Sequence, residues 1–245
     1  MSGRGQIEGL QAPEVRERPA DVLIRALIDS IVARRYEAEE AIPPEAALAE
    51  HFGVSRTIVR ESMKRLEEKG LVAVQQGRGT LVQPHSSWNV LDPLVLSAII
   101  THDEELHTLD ELTLVRAALE GVMAAQAAER ATEDGVAELA SALQRMVELA
   151  DDYPRFRDAD ALFHRTVMGL SENFLAGNIA YTLYSRARSF ARFEGSPPPD
   201  AIERTLQQHR AIYAAIAAGE VGAASAAMNE HIVDAWQRRS AGRKG

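Results

Sequence analysis

Residues 53–80, GVSRTIVRESMKRLEEKGLVAVQQGRGT, decide how this chain is read. Ser55 is a good helix N-cap, since its hydroxyl can accept from a free backbone N–H of the first turn, and Val54 and Val59 occupy the N′ and N4 positions of a hydrophobic staple. Ile58, Met63 and Leu66 recur on one face of the helix that follows. Arg56, Thr57, Arg60 and Lys64 are left on the other side. Three of these are spaced i, i+4, and Arg56 and Thr57 stand beside the helix N-terminus, where phosphates bind well. This is the layout of a helix that reads DNA. Gly70 supplies the left-handed stop, Leu71 to Gln75 and Thr80 to Val82 have strand composition, and Gln76-Gly77-Arg78-Gly79 makes a tight basic turn. The hairpin reads as a wing. Taken alone, an amphipathic helix with a basic face is more often a solvated surface; the order of helix, turn, helix and glycine-rich hairpin is what favours the DNA reading.

Upstream, Leu48, Ala49 and Phe52 are apolar at helical spacing within a short helix from Ala47 to Phe52, and Gly53 stands at the turn to the Ser55 helix, which makes a helix-turn-helix. The whole stretch IPPEAALAEHFGVSRTIVRESMKRLEEKGLVAVQQGRGTLV (42–82) resembles the N-terminal winged helix of the GntR family of bacterial transcription regulators. The resemblance implies that Arg56, Thr57 and Arg60 contact bases and phosphates, with Gly77, flanked by Gln76 and Arg78, in the wing tip that approaches the minor groove. The sequence departs from the family pattern at Ala46, where an arginine is common, so one expected DNA contact is absent.

The chain has 245 residues, is 46% hydrophobic and contains no cysteine, so it can build well-formed cores and has neither disulfides, thiolate metal sites nor cysteine nucleophiles. With no apolar run near twenty residues and no signal-like start, it is expected to be cytoplasmic and to have no membrane partner. The formal net charge of −9 is unevenly spread. Residues 53–80 carry six Lys/Arg against three Asp/Glu, whereas from residue 85 onward there are fifteen against twenty-three. The acidity therefore belongs to the C-terminal part and does not oppose a DNA-binding head.

Residues 1–18 lack an apolar period and read as a flexible tail. Val22, Leu23, Ala26, Leu27 and Ile31 predict a supporting helix from Ala20 to about Arg35, followed by a connecting loop over 38–44. The DNA-binding domain is placed at 19–83 and a linker at 84–93, where QPHSSWNVLDP is polar and broken by prolines. Its WNVLDP segment resembles a stretch of sugar-acid-responsive members of the family, although Trp88 itself reads better as an anchor of the linker. Residues 94–240 are helical throughout in pattern, with helices expected at about 94–100, 109–130, 133–151, 155–170, 174–193, 201–218 and 221–239, an antiparallel all-α bundle. The fold class is thus mainly α: a winged helix-turn-helix with a small β-hairpin, then a helical bundle.

Four bundle residues read together. Asp160 and His164 are spaced i, i+4 and face the same space, while His209 and His231 lie on the last two helices, which an antiparallel pairing could bring close. Three imidazoles and one carboxylate suit a divalent transition metal such as zinc, nickel or manganese. A single histidine in such a helix is more often a surface or hydrogen-bonded side chain, and the Asp160–His164 pair on its own could be a helix-surface ion pair. The segments ELTLVRAALEGVMAAQAAERAT, DADALFHRTVMGLSEN and HRAIYAAIAAGEVGAASAAMNEH resemble the ligand-binding FCD domain of the FadR branch of the same family. That resemblance implies that Asp160, His164, His209 and His231 hold the metal, and that Arg116 faces the cavity beside it. Asn173, Arg186 and Arg188 are further candidates for an effector's carboxylate or hydroxyls. Arg116 has a competing reading as an ion pair with Glu120 on its own helix.

These readings combine into a non-enzymatic, metabolite-responsive regulator, expected to be a repressor. A homodimer would bind a palindromic double-stranded operator, and a small organic acid, a sugar acid foremost, would bind at the metal. The alternatives are an architectural DNA-binding dimer without an effector and a metal-dependent hydrolase; the latter lacks an acid/base carboxylate at motif spacing and leaves the winged helix unexplained.

Overall fold

The computed structural model describes residues 18–188 and 200–241; all but the last residue of the tail expected over 1–18, the Gly-Ser-Pro-Pro-Pro break and the helix end expected near residue 193 lie outside them. The described chain is mainly helical, with one antiparallel hairpin, and divides into two compact units between Val95 and Leu96.

The first unit contains α1 (Pro19–Val32), α2 (Glu45–Phe52), α3 (Arg56–Glu68), β1 (Val72–Gln75) and β2 (Gly79–Val82). Pro19 sits in the first turn of α1, where its missing N–H costs no hydrogen bond. Leu23, Ile24, Leu27, Ile28 and Ile31 form the buried stripe of α1. The helix ends at Val32 rather than Arg35 because the chain turns into the left-handed region at Arg34 (φ 54°). Gly53 (φ 62°) makes the turn from α2 to α3, and the Ser55 hydroxyl accepts from the Ile58 N–H at 3.3 Å. Val59, Ser62, Met63 and Leu66 are the buried face of α3, with Ile58 half-buried at its edge. Arg65 reaches Asp21 at 3.1 Å and ties α3 to α1.

The hairpin pairs Val72 with Val82 and Gln75 with Gly79. The stretch expected to be a plain connecting loop does more. Ala41 bridges Leu81, Ile42 N–H donates to Thr80 O (2.9 Å) and Val82 N–H donates to Glu40 O (2.9 Å), so β2 is covered on both edges and not left as an open template.

The segment after the hairpin packs on the end of α3. Asn89 N–H donates to Lys69 O (2.9 Å), the Trp88 indole donates to Gln83 O (3.0 Å), and Lys69 forms a largely buried ion pair with Asp92. Gly70 meets two demands here: its φ is 73°, and a Cβ would lie 2.0 Å from Ser87 O. Asp92 also caps α4 (Pro93–His102), its Oδ1 accepting from Leu94 N–H at 2.9 Å.

The second unit holds the remainder of α4 with α5 (His107–Arg130), α6 (Glu133–Glu148), α7 (Tyr153–Leu170), α8 (Phe174–Arg188), α9 (Ala201–Ala217) and α10 (Val221–Ser240). α10 packs along α5 and α9, α6 packs on α7 and α9, and α8 packs on α5 and α7. Leu139, Met146, Phe163, Ile212 and Met228 fill the main core. A second cluster gathers Leu96, Ile100, Leu109, Leu112, Leu183 and Trp236, whose indole donates to Asp110 at 2.6 Å. No described helix is long and apolar enough to cross a membrane.

Candidate functional site

In the first unit, Arg56, Thr57, Arg60 and Lys64 are all exposed along the outer face of α3, and Gln76, Gly77 and Arg78 are exposed at the hairpin tip. The buried stripe of α3 turns this basic face outward. Gly77 (φ 81°) and Gly79 (φ 87°) permit the tight tip, and Arg78 donates to Gln75 at 3.0 Å. One partner was not legible in the sequence: Arg60 Nε donates to Glu45 at 2.8 Å, across the helix-turn-helix. Lys64 lies 3.9 Å from Glu68, a looser surface pair.

In the second unit, α7 presents Asp160 and His164 on one face, one turn apart. Gly219 (φ 70°) turns α9 back into α10, and His209 and His231 stand ten residues before it and twelve after it. At 1.5 Å per residue both lie about 15–18 Å along antiparallel helices from the same turn, so they reach the same level. The four side chains converge: one ligand atom from each of Asp160, His164, His209 and His231 lies within 4.8 Å of all the others. The three histidines are buried and Asp160 is partly so. His51, His85, His102 and His107 are exposed and take no part.

The hydrogen bonds behind the rings decide what faces the centre. Nδ1 of His164 is 2.6 Å from Glu120 Oε2, Nδ1 of His209 is 2.8 Å from Thr205 O, and Nδ1 of His231 is 3.1 Å from Gln208 Oε1. Carboxylate and carbonyl oxygens only accept, so each ring carries a proton on Nδ1, and a neutral ring then turns a bare Nε2 lone pair inward. Nε2 of His164 and Nε2 of His231 are 3.3 Å apart. Nε2 of His209 is 3.3 Å from Asp160 Oδ1 and is a buried nitrogen that makes no hydrogen bond. Lone pairs and a carboxylate turned on one another repel unless a cation stands among them. The donor set of three imidazoles and one carboxylate fits a divalent transition metal.

The electrostatics favour a cation too. Burial pushes the Asp160 carboxyl up, but the three histidines outweigh it and hold Asp160 well below the usual carboxylate range. Burial likewise opposes ionisation of Glu120, yet Arg116 and His164 bring it down to about 2. Burial and then the neighbouring imidazoles push His231 well below the ordinary histidine value. His164 is raised: burial lowers it, but Glu120 and Asp160 prevail.

His164 also lines a cleft of about 390 Å³, counted out to its open mouth, together with Arg116, Ala161, Arg165, Met168, Tyr181, Tyr184, Ser185 and Arg188. Arg116 gives Nε and a terminal nitrogen to Glu120 Oε1 at 2.8 and 2.7 Å, and its guanidinium lies 4.3 Å from the centre of the Tyr184 ring. The two readings of Arg116 are therefore compatible, since it pairs with Glu120 and still borders the cleft. Arg188, held by Asp158 at 2.5 Å, borders it as well. Arg186 and Asn173 are not among the lining residues. Asn173 caps α8, accepting from Ala176 N–H at 3.1 Å, and donates to Gln126 at 3.1 Å. Burial and the charge of Asp160 push the Tyr184 phenol up to about 12, so it stays a neutral donor. Sequence reading did not assign Glu120, Gln208 or Tyr184 to the site. Glu120, four residues after Arg116, was visible only as an ion-pair partner.

Comparison with known proteins agrees with both units. The profile of the bacterial regulatory proteins of the gntR family matches residues 19–82, and that of the FCD domain matches residues 111–234. The galactonate operon transcriptional repressor of Escherichia coli is 31% identical over 196 residues, covering 80% of this chain and 86% of the repressor. The chain belongs to the GntR family of bacterial transcription regulators. This GntR protein is also 32% identical over 192 residues to LutR of Bacillus subtilis, covering 77% of this chain and 86% of LutR. Its fold resembles that of the Lar protein of Listeria monocytogenes (TM-score 0.59, 18% identity, covering 93% of this chain and 99% of Lar). The FCD domain fits the FadR-like branch, and the relatives are DNA-binding regulators rather than enzymes.

Proposed function

We propose that this GntR protein is a repressor whose operator binding is controlled by a small carboxylate held at a divalent metal in the FCD bundle. The observation that carries the reading is the convergence of Asp160, His164, His209 and His231, of which His164 also lines an arginine-bordered cleft. Asp160, His164, His209 and His231 would hold the metal, and a bound metal supplies a Lewis-acidic position for an anionic oxygen. Zinc suits the donor set foremost, with nickel or manganese accommodated.

Charge balance indicates the class of effector. The low ionisation ranges of Asp160 and Glu120 make two negative charges, against which Arg116 adds one positive, the metal two and Arg165 on the cleft wall one more, so the site keeps a net positive charge that suits a carboxylate. Arg188 is already matched by Asp158. The cleft is small, which favours a short hydroxylated acid over a fatty acyl chain. The galactonate operon repressor among the relatives and the WNVLDP segment point the same way, to sugar acids. Arg116, Arg188 and the Tyr184 hydroxyl, which border the cleft, would hold such a ligand, rather than Arg186 and Asn173, which do not line it.

Arg56, Thr57, Arg60 and Lys64 on α3, with Gln76, Gly77 and Arg78 at the wing, would contact the operator. The protein would act as a homodimer on a palindromic site. On α5, Leu114, Val115 and Val122 are 62, 46 and 52% exposed, and on α8 Phe174, Leu175 and Tyr181 are 83, 69 and 48% exposed. The Asn173–Gln126 hydrogen bond and the Arg116–Tyr184 stacking set the two helices side by side, each with apolar side chains exposed. A second copy would cover these exposed side chains. The effector would act by binding one arrangement of the dimer better than another.

The test is a thermal-shift screen of sugar acids, including galactonate, and fatty acyl thioesters on the metal-loaded protein. Each hit is then carried into a gel shift on the gene's own upstream region. A ligand at about a hundred times its Kd stabilises by about 2.7 kcal/mol. Hydroxy acids should stabilise the protein and release DNA; stabilisation by acyl thioesters alone contradicts the effector assignment.

A further inference from the structure

Glu120 is the one aspartate or glutamate among the described residues that is buried, at 1% exposure, and it is not one of the four converging ligands. Burying a carboxylate is costly unless its oxygens are matched, and both are: Oε2 lies 2.6 Å from Nδ1 of His164, and Oε1 accepts from Arg116 at 2.7 and 2.8 Å. His209 and His231 rest on neutral acceptors, the Thr205 carbonyl and the Gln208 amide oxygen. Only His164, among the three, rests on an anion. It is also the ring that borders the cleft.

We propose that Glu120 is a positioning residue for the metal. Accepting the Nδ1 proton fixes His164 as an Nε2 donor, holds the plane of its ring toward Asp160 and His231, and raises the electron density on Nε2 through the anionic hydrogen bond. Arg116 holds Glu120 in turn, from the helical position one turn before it. The Arg116–Glu120 pair is therefore a support beneath His164, and not simply an ion pair within α5. The assignment rests on the metal reading given above.

Zinc affinity of the full-length protein, measured by chelator competition, tests it in wild type, Glu120→Gln, Arg116→Met/Glu120→Gln and His209→Ala. A glutamine offers one oxygen where the carboxylate offers two and carries no charge. The double variant avoids leaving a buried guanidinium unpaired should the single variant fold poorly. Both Glu120 variants should bind zinc about 10- to 100-fold more weakly, as loss of a carboxylate behind a ligating histidine typically does, and should shift the visible absorption of the cobalt-loaded protein. Affinities within twofold of wild type in both, with His209→Ala impaired, overturn the role of Glu120 and leave the metal site standing. If His209→Ala also binds like wild type, it is the metal reading that fails. A measurement free of variants closes the case: long-range ¹H–¹⁵N spectra of the zinc-loaded wild type should show His164 protonated at Nδ1, and a proton found on its Nε2 overturns the proposal.

Discussion

Removing the Arg60 side chain separates its ion pair with Glu45 from its proposed contact with the operator. Its Nε donates to Glu45 at 2.8 Å, but the two side chains are 71 and 39% exposed. An ion pair so open to water is worth well under about 1 kcal/mol, so Arg60→Ala should leave thermal stability nearly unchanged. A lost base or phosphate contact costs about 1–3 kcal/mol, or about 5- to 150-fold in operator affinity. If Arg60 meets phosphate, the slope of log affinity against log salt also falls by about one. Glu45→Ala supplies the contrast. It frees the arginine and removes a negative charge near the phosphates, so it should bind the operator at least as tightly as wild type, and Glu45→Ala/Arg60→Ala should behave like Arg60→Ala. Fluorescence anisotropy over a salt series measures all three. The reasoning is refuted if Arg60→Ala binds like wild type, or if Glu45→Ala weakens binding as much as Arg60→Ala does, which would make the pair, rather than the free cation, the reading element.

Other consequences can be measured separately. Gly70→Ala must place a Cβ 2.0 Å from Ser87 O at a φ of 73°, so chemical denaturation should show a loss of more than about 1 kcal/mol, and an unaffected midpoint would mean that residues 85–92 do not pack on α3. Phe174→Glu should convert a dimer to monomer in light scattering if the α5–α8 face is the contact; a dimer that persists places the contact elsewhere. The metal-free bundle should lose stability in acid through Glu120, whose folded value of about 2 lies below its ordinary 4.5: the contribution is fully present above about 4.5 and is lost as pH falls toward 2. Arg116→Met/Glu120→Gln should lack that part of the acid transition, and an identical transition would contradict it.

The reading head was legible because its signals are local. Ser55, Gly53, Gly70 and the Gly77–Gly79 tip each state a backbone geometry on their own, and the structure shows Ser55 capping α3 and all four glycines at positive φ. The helices of the bundle were legible from their apolar period, and an antiparallel pairing of the last two was enough to suggest that His209 and His231 could come close, as the structure shows. Contacts between distant segments left no such trace. The pairing of Ala41 and Ile42 with β2 looks like loop sequence, because two residues of backbone pairing create no alternation. The Lys69–Asp92 pair joins two ordinary charged residues across a segment whose prolines suggest only a connector. Glu120 was hidden for a related reason. Its spacing to Arg116 already accounted for it, and its contact with His164 crosses from α5 to α7, 44 residues away. Asn173 shows the reverse limit, since a polar residue at a helix start can cap that helix and have no need of a ligand.

The central claim is that metal at Asp160, His164, His209 and His231 couples to operator binding, and metal content measured on the same samples as DNA affinity tests it most directly. Wild-type protein should carry close to one divalent transition metal per chain by mass spectrometry, fewer as pH falls because protons compete for the imidazoles. His209→Ala and His231→Ala should lose most of it, keep basal operator binding, and no longer respond to the acid that releases wild type from DNA. Wild-type protein that takes up no metal under any loading condition, or histidine variants that release DNA on acid binding as wild type does, would contradict the account.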